Sequence, residues 1–206
     1  MQHLWHLFQT GGWIMWPLLF ASLLAVTIFV DRLRLYRRAA TDMGLVKSHL
    51  SALVAKGDTE GVKALGERAG GALGRLLADY MQHRRKVSDA QAWLELNAQQ
   101  VAGALRAHLN LLSAIVTIAP LMGLLGTVTG MIQAFDVLSI SEGQPFAITG
   151  GVAEALVATA FGLLIAIMAL LLYVVLDQKA SRLIAELEEG CGLLLISEPD
   201  STGAAR

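Results

Sequence analysis

Residues 109–135 read LNLLSAIVTIAPLMGLLGTVTGMIQAF, 27 positions without one charged side chain. Residues 148–176 read ITGGVAEALVATAFGLLIAIMALLLYVVL, 29 positions whose only charge is Glu154. A hydrocarbon core about 30 Å thick is crossed by about 20 apolar residues in a helix, so either stretch is long enough to span. A plain lipid anchor has no use for the glycines, alanines and threonines that recur in both at helical spacing. The pair predicts a membrane protein with a polar interior.

Outward from this pair, residues 14–30 (IMWPLLFASLLAVTIFV) form a third apolar run, flanked by Trp5, Trp13 and Trp16. A cleaved signal would start with a basic region, whereas here Arg32, Arg34, Arg37 and Arg38 follow the run and no basic residue precedes it. The run therefore reads as an uncleaved span, with tryptophans at one interface and Pro17 in the first turn, where its missing N–H costs little. All 16 Lys and Arg lie in residues 32–106 or from Lys179 onward. The positive-inside rule then puts the N-terminus outside and both charged stretches in the cytoplasm.

Composition agrees with this reading. The 206 residues are 55% hydrophobic with mean hydropathy +0.56, far from an ordinary soluble domain. A net charge of -1 points to neither nucleic acid nor an acidic substrate. The single cysteine, Cys191, excludes an internal disulfide and reads as a small buried side chain.

The expected fold is all-α, with three transmembrane helices, two of them extended into a helical cytoplasmic domain. Residues 1–31 hold the outer N-terminus and first span, 32–107 the cytoplasmic helical domain, and 108–135 the second span. Residues 136–147 form a periplasmic loop, 148–176 the third span, and 177–206 a cytoplasmic extension and tail. Within the cytoplasmic part, Gly57-Asp58 and Gly70-Gly71 break the pattern into short helices. Asp58 or Thr59 is placed to cap the helix holding Val62 and Leu65. Leu73, Leu76, Leu77 and Tyr80 mark the apolar face of the next. Ser88-Asp89-Ala90-Gln91 reads as a capping box. No strong breaker follows before Pro120, so one helix is expected from residue 88 straight through the second span. Leu183, Ile184, Leu187 and Leu194 give the last helix an apolar stripe beyond the membrane, and the final SEPDSTGAAR reads as a disordered tail.

The membrane stretches carry the candidate site. Gly123, Gly126 and Gly130 fall on one side of the second span. Ala155, Thr159, Gly162, Ala166 and Ala169 repeat in the third at intervals of 4, 3, 4 and 3. Small residues let helices approach closely in lipid. Their density in a chain with three spans argues for neighbouring copies, hence a homo-oligomer. Ser113, Thr117 and Thr129 read as structural, their hydroxyls returned to the preceding turn. Thr127 and Thr159 stand apart because their depths agree, about 12 and 16 Å from the outer face. An intramembrane carboxylate is costly unless it faces protein or water, so Glu154 is a functional candidate. Its competing reading is a helix-entry residue held by the helix dipole. On an ideal helix Glu154 and Thr159 are about 140° apart, which aims Glu154 at a neighbouring helix or subunit. No nucleophile, metal or phosphate-loop motif is present, so neither an enzyme nor a cofactor is expected.

At these residues the sequence resembles the ExbB/TolQ/MotA proton-channel family, in its ExbB and TolQ branch. The resemblance rests on APLMGLLGTVTGMIQAF (119–135) and EALVATAFGLLIAI (154–167), and more weakly on the cytoplasmic G-D and GALGRLL segments. It implies a pentamer in a Gram-negative inner membrane, enclosing the single helices of two ExbD- or TolR-like partners. By the same resemblance Thr127 and Thr159 line the pore, Glu154 is functionally important, and proton flow drives motion passed on by a TonB- or TolA-like protein. Two positions depart from the family: Met168 and Val174 replace a proline and an asparagine near the inner end of the third span. The first replacement leaves that helix straighter.

The function expected is a motor subunit that couples the proton gradient to transport or envelope work at a distance. The alternatives are a passive membrane scaffold, a TolQ-like part in envelope constriction, and a freestanding channel. The last is the weakest, since hydroxyls alone supply no titrating group.

Overall fold

The computed structural model describes residues 11–84, 87, 89–140 and 145–197. Seven helices run through these residues: α1 (Met15–Ala39), α2 (Met43–Ala55), α3 (Thr59–Ala69), α4 (Gly71–His83), α5 (Ala90–Arg106), α6 (Leu109–Ile140) and α7 (Pro145–Ser197). They form two compact units, the first from residues up to 30 with 108–176, the second from 31–107 with 177 onward. The disordered-tail expectation lies outside the described residues except for Ser197.

In the first unit, α6 and the start of α7 carry the two long apolar stretches. Their most apolar windows reach mean hydropathies of 2.1 and 2.7, enough to cross a membrane. Only 28% and 33% of those windows is buried inside the chain, whereas the core helix of a soluble protein would be mostly covered. Among the described residues the fold is all-helical, with two helices long and apolar enough to cross a membrane, as an all-α membrane protein requires. Pro120 sits inside α6 without ending it, which neighbouring helices make tolerable in an apolar medium. Pro145 opens α7, where a proline's fixed φ suits the first helical position. The first apolar run forms the N-terminal part of α1. Ile14, Met15, Leu18 and Ala25 are buried there, with Trp13, Trp16, Phe20 and Leu23 facing out.

The second unit is a small helical bundle whose helices start on side-chain caps. Asp42 accepts from the Gly44 and Leu45 amides at 3.0 and 3.2 Å, opening α2. Asp58, rather than Thr59, caps α3 through the Gly61 amide at 2.8 Å. Gly70 and Gly71, at φ 62° and 69°, turn α3 into α4 through the left-handed region that glycine tolerates. The two helices then cross at Gly66 and Gly74. A β-carbon on Gly66 would stand 2.5 Å from the Gly74 carbonyl, and one on Gly74 would strike the Gly66 carbonyl. Leu50, Val62, Leu73, Leu77, Tyr80 and Leu94 close the core, together with Leu187 and Leu194 of α7. Tyr80 and Trp93 stack at a tilt, centroids 5.6 Å apart.

Two local expectations need correction. Helix α5 is capped by Asp89, whose carboxylate accepts from the Ala92 amide at 3.0 Å, one residue later than a Ser88 box requires. Ser88 itself lies outside the described residues. The helix also fails to run on into α6: it ends at Arg106, and His108 takes φ 65°, uncommon for a residue with a side chain. The break has a physical support. The last four carbonyls of a helix lack partners within it. Here Arg32 Nη1 donates to the Ala104 carbonyl at 3.1 Å and the Tyr36 hydroxyl to the Leu105 carbonyl at 2.9 Å. Arg32 is held in turn by Asp31, at 2.9 Å. Burial pushes the Tyr36 phenol up from its ordinary range, opposed by Arg32 and reinforced by Asp177. Burial likewise drives the Cys191 thiol up to about 11, with Glu188 adding to the shift, so the thiol stays protonated.

Candidate functional site: the seam between α6 and α7

The two apolar helices meet along a ladder of small residues. Added β-carbons measure how close the backbones come. On Gly162 one would stand 2.7 Å from the Ala119 carbonyl and 2.9 Å from Gly123 Cα. On Gly126 it would meet Ala158 Cβ at 2.5 Å, and on Gly130 the Gly151 carbonyl at 2.9 Å and Ala155 Cβ at 3.1 Å. Residues 119, 123, 126, 130 and 134 of α6 thus face 162, 158, 155 and 151 of α7 in antiparallel order. Ala166 and Ala169 continue the buried side of α7. Any larger residue at these contacts would force the backbones apart, which is why the pattern reads as small at intervals of three and four.

This arrangement alters one inference from the sequence. The glycines and alanines are consumed inside the chain, so their density is no evidence for neighbouring copies. The faces left outward are large and apolar: Leu121, Leu124 and Val128 on α6, Leu163, Leu164 and Leu171 on α7.

Thr159 lies in the seam, where its hydroxyl donates across it to the Gly123 carbonyl at 3.0 Å. In α-helical geometry that same carbonyl accepts the amide of Thr127. The two threonines therefore converge on one peptide group, at one level. Their hydroxyls differ in setting. Thr127 donates back to the Leu124 carbonyl at 2.6 Å and stays on the partly exposed side of α6. Each hydroxyl retains acceptor capacity for water or a partner. Thr117 and Thr129 return their hydroxyls to Ser113 and to Leu125 and Gly126, as structural threonines do.

Glu154 stands nine residues into α7, past the turn where that helix's own dipole acts, so the helix-entry reading does not describe it. Its carboxylate is packed against Gly12, immediately before α1. A β-carbon on Gly12 would collide with Glu154 Oε1, and Gly12 sits at φ 69°. One residue earlier, a β-carbon on Gly11 would press on the Met15 side chain and on Val157. Ile14 reaches toward Gly126 of α6. Glu154 and Thr159 thus use different faces of α7, one toward the head of α1, the other toward α6. Gly11, Gly12, Gly151 and Ala158 complete the site and were not singled out in the sequence. Gly151 and Ala158 extend the same 4, 3, 4 spacing and were detectable by it. The glycine pair before Trp13 gives no periodic signal.

Comparison with known proteins fits this geometry. Residues 68–189, which include the whole seam of α7 and all of α6, match the MotA/TolQ/ExbB proton channel family. The Synechocystis biopolymer transport protein ExbB-like 1 is 35% identical over 182 residues, covering 85% of this chain and 71% of that protein. A second Synechocystis protein, ExbB-like 3, is 27% identical, with 89% and 90% coverage. Biopolymer transport protein exbB1 of Vibrio cholerae is 31% identical over 198 residues, 91% of this chain and 85% of that one. The family match over residues 68–189, with relatives 35% and 31% identical along most of this chain, shows that the chain belongs to the MotA/TolQ/ExbB proton channel family, in its ExbB branch.

Proposed function

We propose that this chain is the channel and motor subunit of an ExbB-type complex, coupling proton flow across an inner membrane to work transmitted by a TonB- or TolA-like protein. One observation carries the reading most: the Thr159 hydroxyl crosses the seam to the Gly123 carbonyl, one helical turn from Thr127, inside otherwise apolar helices. Both hydroxyls keep acceptor capacity for water or a proton-bearing group, and the carboxylate of Glu154, costly in an apolar helix, is the kind of group that marks an ion pathway. In this reading α1 is a third span, the N-terminus is periplasmic and the charged unit cytoplasmic. Five copies surround the single helices of two ExbD- or TolR-like partners, whose acidic side chain carries the proton. Thr127 and Thr159 hydrogen-bond water or that acid. Glu154, seated at the head of α1, tunes access from the outer side. A transmembrane potential supplies about 2.3 kcal/mol per charge per 100 mV, so a few protons suffice for a sizeable conformational step.

The test is proton flux in proteoliposomes holding the chain with a single-span partner. The double change Thr127→Val, Thr159→Val is expected to cut flux at least tenfold while assembly survives. Undiminished flux defeats the pathway assignment. The passive-scaffold alternative draws on a specific observation, that both hydroxyls already donate to carbonyls of the chain itself. It expects no flux above empty vesicles for the unaltered complex.

A further inference from the structure

The second unit contains a cleft of about 360 Å³ walled by Leu33 and Arg37 of α1 with Ala40 just beyond it, and by Lys179, Arg182 and Leu183 of α7. Its walls are partly aliphatic and its lining holds three cations. The one anion in the lining, Glu186, is held by Arg182 Nε at 3.0 Å. Among the described residues Arg37 and Lys179 make no ion pair. The Tyr36 hydroxyl is engaged by Leu105, so that side chain offers the cleft its ring. Position along the chain adds the decisive constraint. Leu33 lies three residues past the end of the first apolar run, and Lys179 three past Leu176, the end of the last. Both walls therefore begin at the level where hydrocarbon gives way to headgroups.

We propose that this cleft binds an anionic phospholipid of the cytoplasmic leaflet, its phosphodiester between Arg37 and Lys179 and its glycerol and upper acyl chain directed back toward the membrane against Leu33. The proposal rests on the membrane orientation given above. Basic pockets beside spans on the cytoplasmic side recognise lipid phosphates in this way. Long cationic side chains reach the headgroup level while their stems cover apolar surface. A free phosphate is the poorer occupant: Arg37 and Lys179 are exposed, and two exposed cations hold a small anion weakly in salt. The lipid adds apolar contact that inorganic phosphate lacks. Arg34 and Arg38 extend the positive field on the same turn of chain.

The test is native mass spectrometry of the full-length chain from nanodiscs of phosphatidylglycerol or phosphatidylcholine, counting retained lipid. Arg37→Gln with Lys179→Gln is expected to lower phosphatidylglycerol retention about 30-fold, the effect of two cations near an anionic surface. Phosphatidylcholine retention should not change. Ala40→Trp, which fills the cleft without altering charge, should expel phosphatidylglycerol too and covers the case in which the double variant fails to fold. Lys63→Gln with Arg68→Gln on α3 is the charge-matched control and should retain it. The proposal is overturned if the control loses as much lipid as the cleft variant, if Ala40→Trp leaves retention unchanged, or if millimolar inorganic phosphate displaces the lipid. Proton flux measured on the same protein is read separately: lost flux with lipid retained counts against the proposed function and leaves the lipid site standing.

Discussion

Replacing Gly162 with alanine tests the seam at its tightest backbone contact. The new methyl would stand 2.7 Å from the Ala119 carbonyl oxygen, 2.9 Å from Gly123 Cα and 3.1 Å from the Gly123 nitrogen. All three are backbone atoms, so no side chain can rotate away and the helices themselves must separate by several tenths of an ångström. Overpacking of this kind costs about 1–3 kcal/mol. Against it stands the gain of about 0.5–1 kcal/mol from replacing glycine with alanine in a helix interior. A net loss of about 1–2 kcal/mol is expected. Separation also lengthens the Thr159 to Gly123 hydrogen bond, 3.0 Å in the intact seam. The internal control is Gly150→Ala on the same helix, where a β-carbon meets nothing within 4 Å. That variant should gain the helix-propensity term alone. The assay is equilibrium unfolding in detergent micelles, with Thr159→Val and the double variant completing a cycle. Because both changes act on one contact, their losses should fall short of additive. If Gly162→Ala is as stable as Gly150→Ala, or if its loss adds fully to that of Thr159→Val, the close-packed seam is wrong.

Three further outcomes are expected. Gly12→Ala sets a β-carbon against the Glu154 carboxylate at a left-handed φ. It should destabilise the first unit by about 1–3 kcal/mol and, in flux assays, mimic Glu154→Gln; wild-type stability would dismiss the contact. Tyr36→Phe strips the Leu105 carbonyl of its donor and should cost about 1–3 kcal/mol in thermal unfolding at neutral pH. Burial raises the Tyr36 pKa above 10.0, so its contribution is complete below pH 10 and is lost as pH rises through the folded value. The phenylalanine variant should lack that alkaline decline, and an identical slope in both proteins would exclude Tyr36 as its source. Asp89→Ala removes the cap on the Ala92 amide and should cost about 1 kcal/mol in unfolding of the second unit; a change below a few tenths would show the cap to be idle.

Part of this molecule was settled by one-dimensional information. Charge placement separates apolar stretches from the charged unit, because a charged side chain in hydrocarbon is costly in any tertiary arrangement. The glycine and alanine spacing likewise marks a close-packed face, since helical periodicity alone sets which residues share a side. What that face packs against is a different matter. The same ladder would serve a second copy or a neighbouring helix, and only the tertiary structure spends it on α6 and α7 of one chain. Glu154 is conspicuous in sequence, but its seat on Gly12 joins residues 142 positions apart, and no local rule pairs them. The break between α5 and α6 is hidden for the same reason. Nothing in the local sequence at Ala107 and His108 stops a helix; the freed carbonyls are taken by Arg32 and Tyr36, which lie 72 and 69 residues away from them. Local propensity reaches a few turns, so which carbonyls, carboxylates and glycines find distant partners was decided by the folded chain.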